Sequence, residues 1–167
     1  MKKMLCLLLI TFSILITSHS THASSRDSNK FGFTYDILGH PLLSIAGYNL
    51  AWHPTGRIRV AAGYSNGDIT SGLLTYNIET MGAHALFFLL DWNFTPFVGV
   101  GYGSTTLTLT AGSGDSEFGL GSGTAGLPYI SYGLDWVTDW GLSLAFGINT
   151  ATKLKASLPY FSIGFFF

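Results

Sequence analysis

Leu158–Phe167 reads LPYFSIGFFF. In steps of two from its end it gives Phe167, Phe165, Ile163, Phe161 and Pro159. The intervening set is Phe166, Gly164, Ser162, Tyr160 and Leu158. A β-strand sends alternate side chains to opposite faces. One face of this stretch is therefore apolar throughout and the other is small or mixed. A strand of this kind needs an apolar environment on one side only.

The composition asks what that environment is. Charged residues make up 10% of the 167 residues and aromatics 15%, with 21 glycines. Soluble domains average about 25% charged residues, so many side chains here face something other than water. No long helical stripe supplies a conventional core. Beyond the leader no apolar run reaches the roughly 18 residues of a membrane helix. A closed sheet with a lipid-facing wall reconciles the two observations, because it satisfies every backbone group internally. The length fits one domain.

The chain opens with Lys2, Lys3 and the apolar run Met4–Ile16, the pattern of an export signal. Thr21-His22-Ala23 offers small residues at the cleavage positions, so residues 1–23 are read as a signal peptide and 24–167 as the barrel domain. Cys6 lies inside the apolar run, which argues against lipid anchoring. The remainder has no cysteine, hence no disulfide and no Cys-based metal site. Loss of the two lysines takes the formal charge from −1 to −3, too mild to suggest a nucleic-acid partner.

Alternation predicts eight strands: Lys30–Leu38, Leu43–His53, Arg57–Asn66, Gly82–Trp92, Phe97–Leu109, Leu127–Val137, Trp140–Asn149 and Leu158–Phe167. In the fourth, Leu86, Phe88, Leu90 and Trp92 are assigned outward and Phe87, Leu89 and Asp91 inward. In the fifth the apolar parity flips at Leu107 and Leu109, as at a bulge or at the end of a membrane zone. Gly67–Met81 is a longer mixed segment. Thr110–Gly126 is Gly/Ser-rich and reads as a mobile loop. Apart from the tight turn at Gly39–Pro41, long connections alternate with short ones. An even strand number with short turns at one end is the pattern of bacterial outer-membrane barrels. Trp52, Trp92, Trp136 and Trp140 all fall beside short turns, as an aromatic girdle on the periplasmic side would. The expected fold is all-β: a closed, eight-stranded, antiparallel, up-and-down transmembrane β-barrel, the last strand pairing with the first.

The terminal aromatic strand, the export signal and the strand count together resemble the family of small OmpA/OmpX-type outer-membrane barrels. The resemblance covers nearly the whole chain after the leader and is one of architecture and terminal motif. It implies an integral outer-membrane location. It also implies that Phe161, Ile163, Phe165 and Phe167 form the signal read by the barrel-assembly machinery.

Eight strands leave an interior that side chains fill or that holds one small ligand. The inward polar set is expected to be Asp36, Asn49, Arg57, Arg59, Asp91 and Asp135, with His53 nearby. Buried charges must be paired, so these residues are read as a lumen network rather than an ion path. His40 and His53 lie thirteen residues apart, roughly 40 Å along a strand at ~3.3 Å per residue, and cannot share a metal. His84 lacks a partner of matching spacing, and zinc sites need three or four converging ligands. No metal or other cofactor is therefore expected. The lipid A deacylase and palmitoyltransferase barrels suggest an enzymatic alternative. Here Ser44 follows His40 across Pro41 and no serine shares the strand of His84, so no catalytic residue is assigned. Phe87, Tyr129, Tyr160 and Phe166 are expected to fill the interior. Lys153 and Lys155 would face lipopolysaccharide phosphates from an outer loop.

These readings lead to a non-enzymatic outer-membrane protein. Its barrel is an anchor or structural element, and its outer loops contact lipopolysaccharide, a partner or a surface ligand. A lipid A-modifying enzyme and a narrow channel are the alternatives.

Overall fold

The computed structural model describes residues 25–38, 46–113, 116–153 and 156–167. The described residues form one helical turn, α1 (Ser25–Ser28), and eight strands. These are β1 (Phe31–Leu38), β2 (Gly47–Thr55), β3 (Ile58–Ser71), β4 (Leu74–Phe88), β5 (Phe94–Ser113), β6 (Ser116–Val137), β7 (Leu142–Ala151) and β8 (Ala156–Phe166). Each strand pairs antiparallel with its sequence neighbour, and β8 returns to β1, so the sheet is a closed barrel. Gly32 pairs with Phe166, Phe33 with Phe165 and Tyr35 with Ile163; a bulge follows at Asp36/Leu38. Closure leaves no free edge between β1 and β8.

The alternation of LPYFSIGFFF is the alternation of β8. Phe161, Ile163, Phe165 and Phe167 are exposed on the outer wall, whereas Tyr160, Ser162 and Phe166 are buried inside. Likewise Phe31, Phe33 and Tyr35 point out and Thr34 and Asp36 point in. Gly133 and Gly147 are Cα partners on β6 and β7. A Cβ on either would run into the partner strand's backbone, so only glycine allows this approach.

On β4 the expected parity is inverted. Leu86 and Phe88 are buried inside, and Phe87 is exposed on the wall. Both faces of this strand are apolar, so alternation carries no signal. The faces are fixed instead by pairing, Ala62 with Ala83 and Ala83 with Tyr102. The interior aromatics are thus Phe88 and Phe97, with Tyr129, Tyr160 and Phe166 where expected. Phe88 meets Phe97 edge-on at 6.5 Å, and Phe97 meets Tyr160 in the same way.

The mixed segment Gly67–Met81 and the expected loop Thr110–Gly126 are strand over most of their described residues. Residues 65–71 of β3 extend past the end of β2 and, among the described residues, pair with β4 alone. Residues 116–127 of β6 extend past β7 and, among the described residues, pair with β5 alone. The described part of Thr110–Gly126 is therefore strand, with Gly119, Gly121, Gly123 and Gly126 held by the ladder to β5. The register is continuous through Leu107 and shifts only at Leu109/Thr110. The parity change at Leu107 is accordingly a change in what the two faces meet, with no bulge beneath it. Residues 1–23, His40, Ser44 and Lys155 lie outside the described residues; Lys153 is exposed at the β7–β8 turn.

Candidate functional site

The polar interior has two layers. The lower one, at the short-turn end, is built on Asp135 of β6. Its carboxylate receives Arg59 from β3, with Nη1 2.9 Å from Oδ1. It also receives Arg26 from α1, with Nη2 2.5 Å from Oδ2. All three side chains are essentially inaccessible to solvent. Arg26 also donates to the carbonyls of Trp92 at 2.6 Å and Asn93 at 3.1 Å. Arg59 donates through Nε to His53 Nε2 at 2.9 Å. His53 Nδ1 lies 2.9 Å from the Asn29 carbonyl. A carbonyl only accepts and a guanidinium only donates. His53 is therefore the neutral tautomer with its proton on Nδ1. The guanidiniums also lie on aromatic rings: Arg26 is 4.3 Å from the Phe88 centroid and Arg59 is 4.7 Å from that of Phe166. His53 stacks on Phe166 at 4.4 Å.

Arg26, which lies between the leader and the first expected strand, is absent from the inward set that the sequence predicts. No periodicity marks a single inserted side chain; the available signal was that the expected inward set holds three aspartates, Asp36, Asp91 and Asp135, against two arginines, Arg57 and Arg59. The turn that carries Arg26 is bound to all three short turns. Asp27 Oδ1 accepts from the Gly56 amide at 2.7 Å, in the β2–β3 turn. The Ser25 amide donates to Asn93 Oδ1 at 3.0 Å, in the β4–β5 turn. The Ser25 hydroxyl lies 2.6 Å from Asp139 Oδ1, in the β6–β7 turn, and Asn93 Nδ2 donates to the same oxygen at 2.8 Å.

The upper layer holds Asp36, Asn49, Ser131, Asn149, Tyr129 and His84. Asn49 donates to Asp36 Oδ2 at 2.9 Å and to Thr34 Oγ1 at 3.1 Å. Ser131 donates to Asn149 Oδ1 at 2.6 Å. The Tyr129 hydroxyl approaches His84 Nδ1 at 3.4 Å. A cavity of about 10 Å³ lies among Asp36, His84, Leu86, Tyr129, Ser131, Asn149 and Tyr160. That is room for at most one water. Among the described residues no three His, Cys, Asp or Glu side chains converge as a metal site.

Of the six residues expected inside, the structure brings together Arg59 and Asp135 below and Asp36 and Asn49 above. Arg57 and Asp91 are not in the interior. Arg57 precedes β3 in its turn, and β4 ends at Phe88, which leaves Asp91 in the next turn. The two make a bidentate pair, Nε–Oδ1 2.8 Å and Nη2–Oδ2 2.6 Å, with both side chains half exposed. The hydrogen bonds from Arg57 hold the Asp91 carboxyl below the usual carboxylate range, and those to Asp91 raise the Arg57 guanidinium. Trp52, Trp136 and Trp140 are exposed at the short-turn end. Trp92 is partly buried within the β4–β5 turn, where its carbonyl binds Arg26.

At the other end the two faces of the wall exchange character. Tyr35, Tyr48 and Tyr64 are successive Cα partners in one row, with Met81 next to them on β4. Up to this row the outer face is apolar. Directly above it, on the same face, come Asn66, Glu79, Thr106 and Thr124, then Asp68, Asn77, Thr108 and Ser122. Asn77 donates to Asp68 at 2.7 Å and to Asn66 at 3.1 Å on this face. The inner face becomes apolar over the same rows, with Ile78 beside Leu107 and then Ile69, Tyr76 and Leu109.

A closed eight-stranded antiparallel barrel with an apolar band outside and a polar interior has the fold of the small outer-membrane β-barrels. The chain is similar to the N-terminal β-barrel domain of OprF from Pseudomonas aeruginosa: TM-score 0.50, 14% identity, over 83% of this chain and 98% of that one. It is also similar to Neisserial surface protein A: TM-score 0.51, 14% identity, over 83% and 95%. At these identities the likeness is one of fold. No protein-family model and no curated protein matches the chain.

Proposed function

We propose that this protein is a non-enzymatic integral outer-membrane barrel, closed to solute flow, that presents the tall β3–β6 sheet outside the cell. The exchange of face polarity at the Tyr35–Tyr48–Tyr64 row carries this reading. An apolar outer wall suits lipid, and tyrosines suit the headgroup level. A polar outer face directly above suits water and lipopolysaccharide sugars. Trp52, Trp136 and Trp140 would then form the periplasmic girdle.

The two interior layers and α1 support a plugged lumen in which the charges serve structure. The outward aromatic face of β8, with Phe161, Ile163, Phe165 and Phe167, fits the role of a strand read by the barrel-assembly machinery. The apolar inner face of the β3–β6 sheet suits a surface-interaction role better than a smooth anchor, since exposed apolar patches outside a membrane mark interaction sites.

Single-cysteine labelling of intact cells tests the topology. Thr108→Cys should react with a membrane-impermeant maleimide, and Leu89→Cys only after the outer membrane is permeabilised. Labelling of both on intact cells, or recovery of the protein in the soluble periplasm, would overturn the reading.

A further inference from the structure

β1 and β8 are neighbours in the ring with no turn to join them, so their ladder is the seam at which the closed sheet can reopen. At the short-turn end this seam finishes on the paired backbone bonds between Phe31 and Phe167. Asn29 and Lys30 alone separate α1 from β1.

α1 has a foothold on each side of the seam. On the β1 side, Asp27 accepts from the Gly56 amide of the β2–β3 turn at 2.7 Å, and the His53 amide of β2 donates to the Lys30 carbonyl at 2.7 Å. On the β8 side, the Ser25 hydroxyl lies 2.6 Å from Asp139 Oδ1, and Asn29 Nδ2 donates to the Asp139 carbonyl at 3.3 Å. Asp139 belongs to the β6–β7 turn, and that turn is itself tied to β8: the Phe166 amide donates to the Gly141 carbonyl at 2.8 Å. β1 is therefore linked to β8 twice, directly through the ladder and by a second path through α1 and the β6–β7 turn.

The two paths form in a fixed order. Isolated helices shorter than about 12–15 residues are marginal in water, so a single turn such as α1 takes its shape from its docking. Its partners on the β2–β3 and β6–β7 turns come within one turn's reach only in the closed ring. Contacts that form after the rate-limiting step of folding slow unfolding and leave the folding rate unchanged. We infer that α1 is a latch across the β1–β8 seam: it docks once the strands have closed, holds them against reopening, and does not help them to close.

The test uses the chain from Ser24, the mature form expected from the leader, refolded from urea into detergent micelles. Tryptophan fluorescence follows both directions. Ser25→Ala with Asn29→Ala removes the side-chain bonds to the β6–β7 turn without touching a buried charge. This variant should unfold roughly ten times faster and refold at the wild-type rate. A second background carries Tyr35→Cys and Ile163→Cys, Cα partners across the seam, in a chain with no other cysteine after Cys6. With that pair oxidised after refolding, the Ser25→Ala and Asn29→Ala changes should no longer alter the unfolding rate, and reduction should restore the difference. Slower refolding of the variant, or failure to refold, would show that α1 acts before closure and would overturn the latch. Unfolding at the wild-type rate, or the same acceleration with the seam covalently shut, would overturn it as well, because α1 would then not act on the seam.

Discussion

Among the described residues, Asp135 is the carboxylate on which two buried guanidiniums, Arg26 and Arg59, converge. Asp135→Asn would keep the shape and leave Arg26 and Arg59 without a countercharge. Breaking a buried pair costs about 3–5 kcal/mol, so the unfolding midpoint in urea should fall sharply. An unchanged midpoint would mean that water or another anion reaches the site. Gly141 makes a backbone demand of a different kind. Its φ is +97°, and a Cβ there would meet the Phe166 carbonyl. Gly141→Ala should therefore destabilise by about 1–3 kcal/mol, read by the same titration. The Arg57–Asp91 pair gives a pH dependence of known sign. The folded Asp91 carboxyl titrates below its unfolded value of about 3.9. Its stabilisation is present above that pH and is lost as pH falls through the folded value. With both partners half exposed, the effect should stay under ~1 kcal/mol. Comparing wild type with Asp91→Asn between pH 3 and 7 should show a slightly steeper acid-side loss of stability in the wild type, and equal slopes would mean that the pair contributes nothing.

Among the elements, α1 is the smallest and has the widest reach. It can bind the β2–β3, β4–β5 and β6–β7 turns only once all three stand in a ring, so it belongs to the completed barrel. Deletion of residues 24–29 should leave the strands intact and lower the temperature at which the unheated gel band converts to the boiled one. It should also expose the turns to protease; a deletion variant as heat-resistant as the wild type would show that the turns hold without it. At the opposite end of the chain, β8 supplies half the closing seam. The Phe167 carbonyl accepts from the Phe31 amide at 3.1 Å, and the Phe167 amide donates to the Phe31 carbonyl at 2.7 Å. Removing Phe167 severs both bonds along with the outward aromatic, so assembly into the outer membrane should drop. Full assembly of the truncated chain would separate the seam from any signalling role.

For the molecule as a whole, strand number, antiparallel order and closure were legible in the sequence because a two-residue period has only two phases. Wherever one face was apolar and the other was not, as in β1, β2, β7 and β8, alternation determined which side chains meet the outside. Leu158–Phe167 alone determined the faces of β8 from Tyr160 onward. Where both faces were apolar, in β4, periodicity was silent, and only the ladders to β3 and β5 decided that Phe88 turns in and Phe87 out. Tertiary structure also decided the length of β5 and β6, because a Gly/Ser-rich segment becomes strand when a partner strand satisfies its backbone. It decided that Arg57 and Asp91 meet outside the barrel, since the ends of β2 and β4 are set by turns that no period marks. And it decided that Arg26 fills the base: a lone arginine in a polar segment acquires a place only when a closed ring brings the Asp135 carboxylate and the Trp92 and Asn93 carbonyls within its reach.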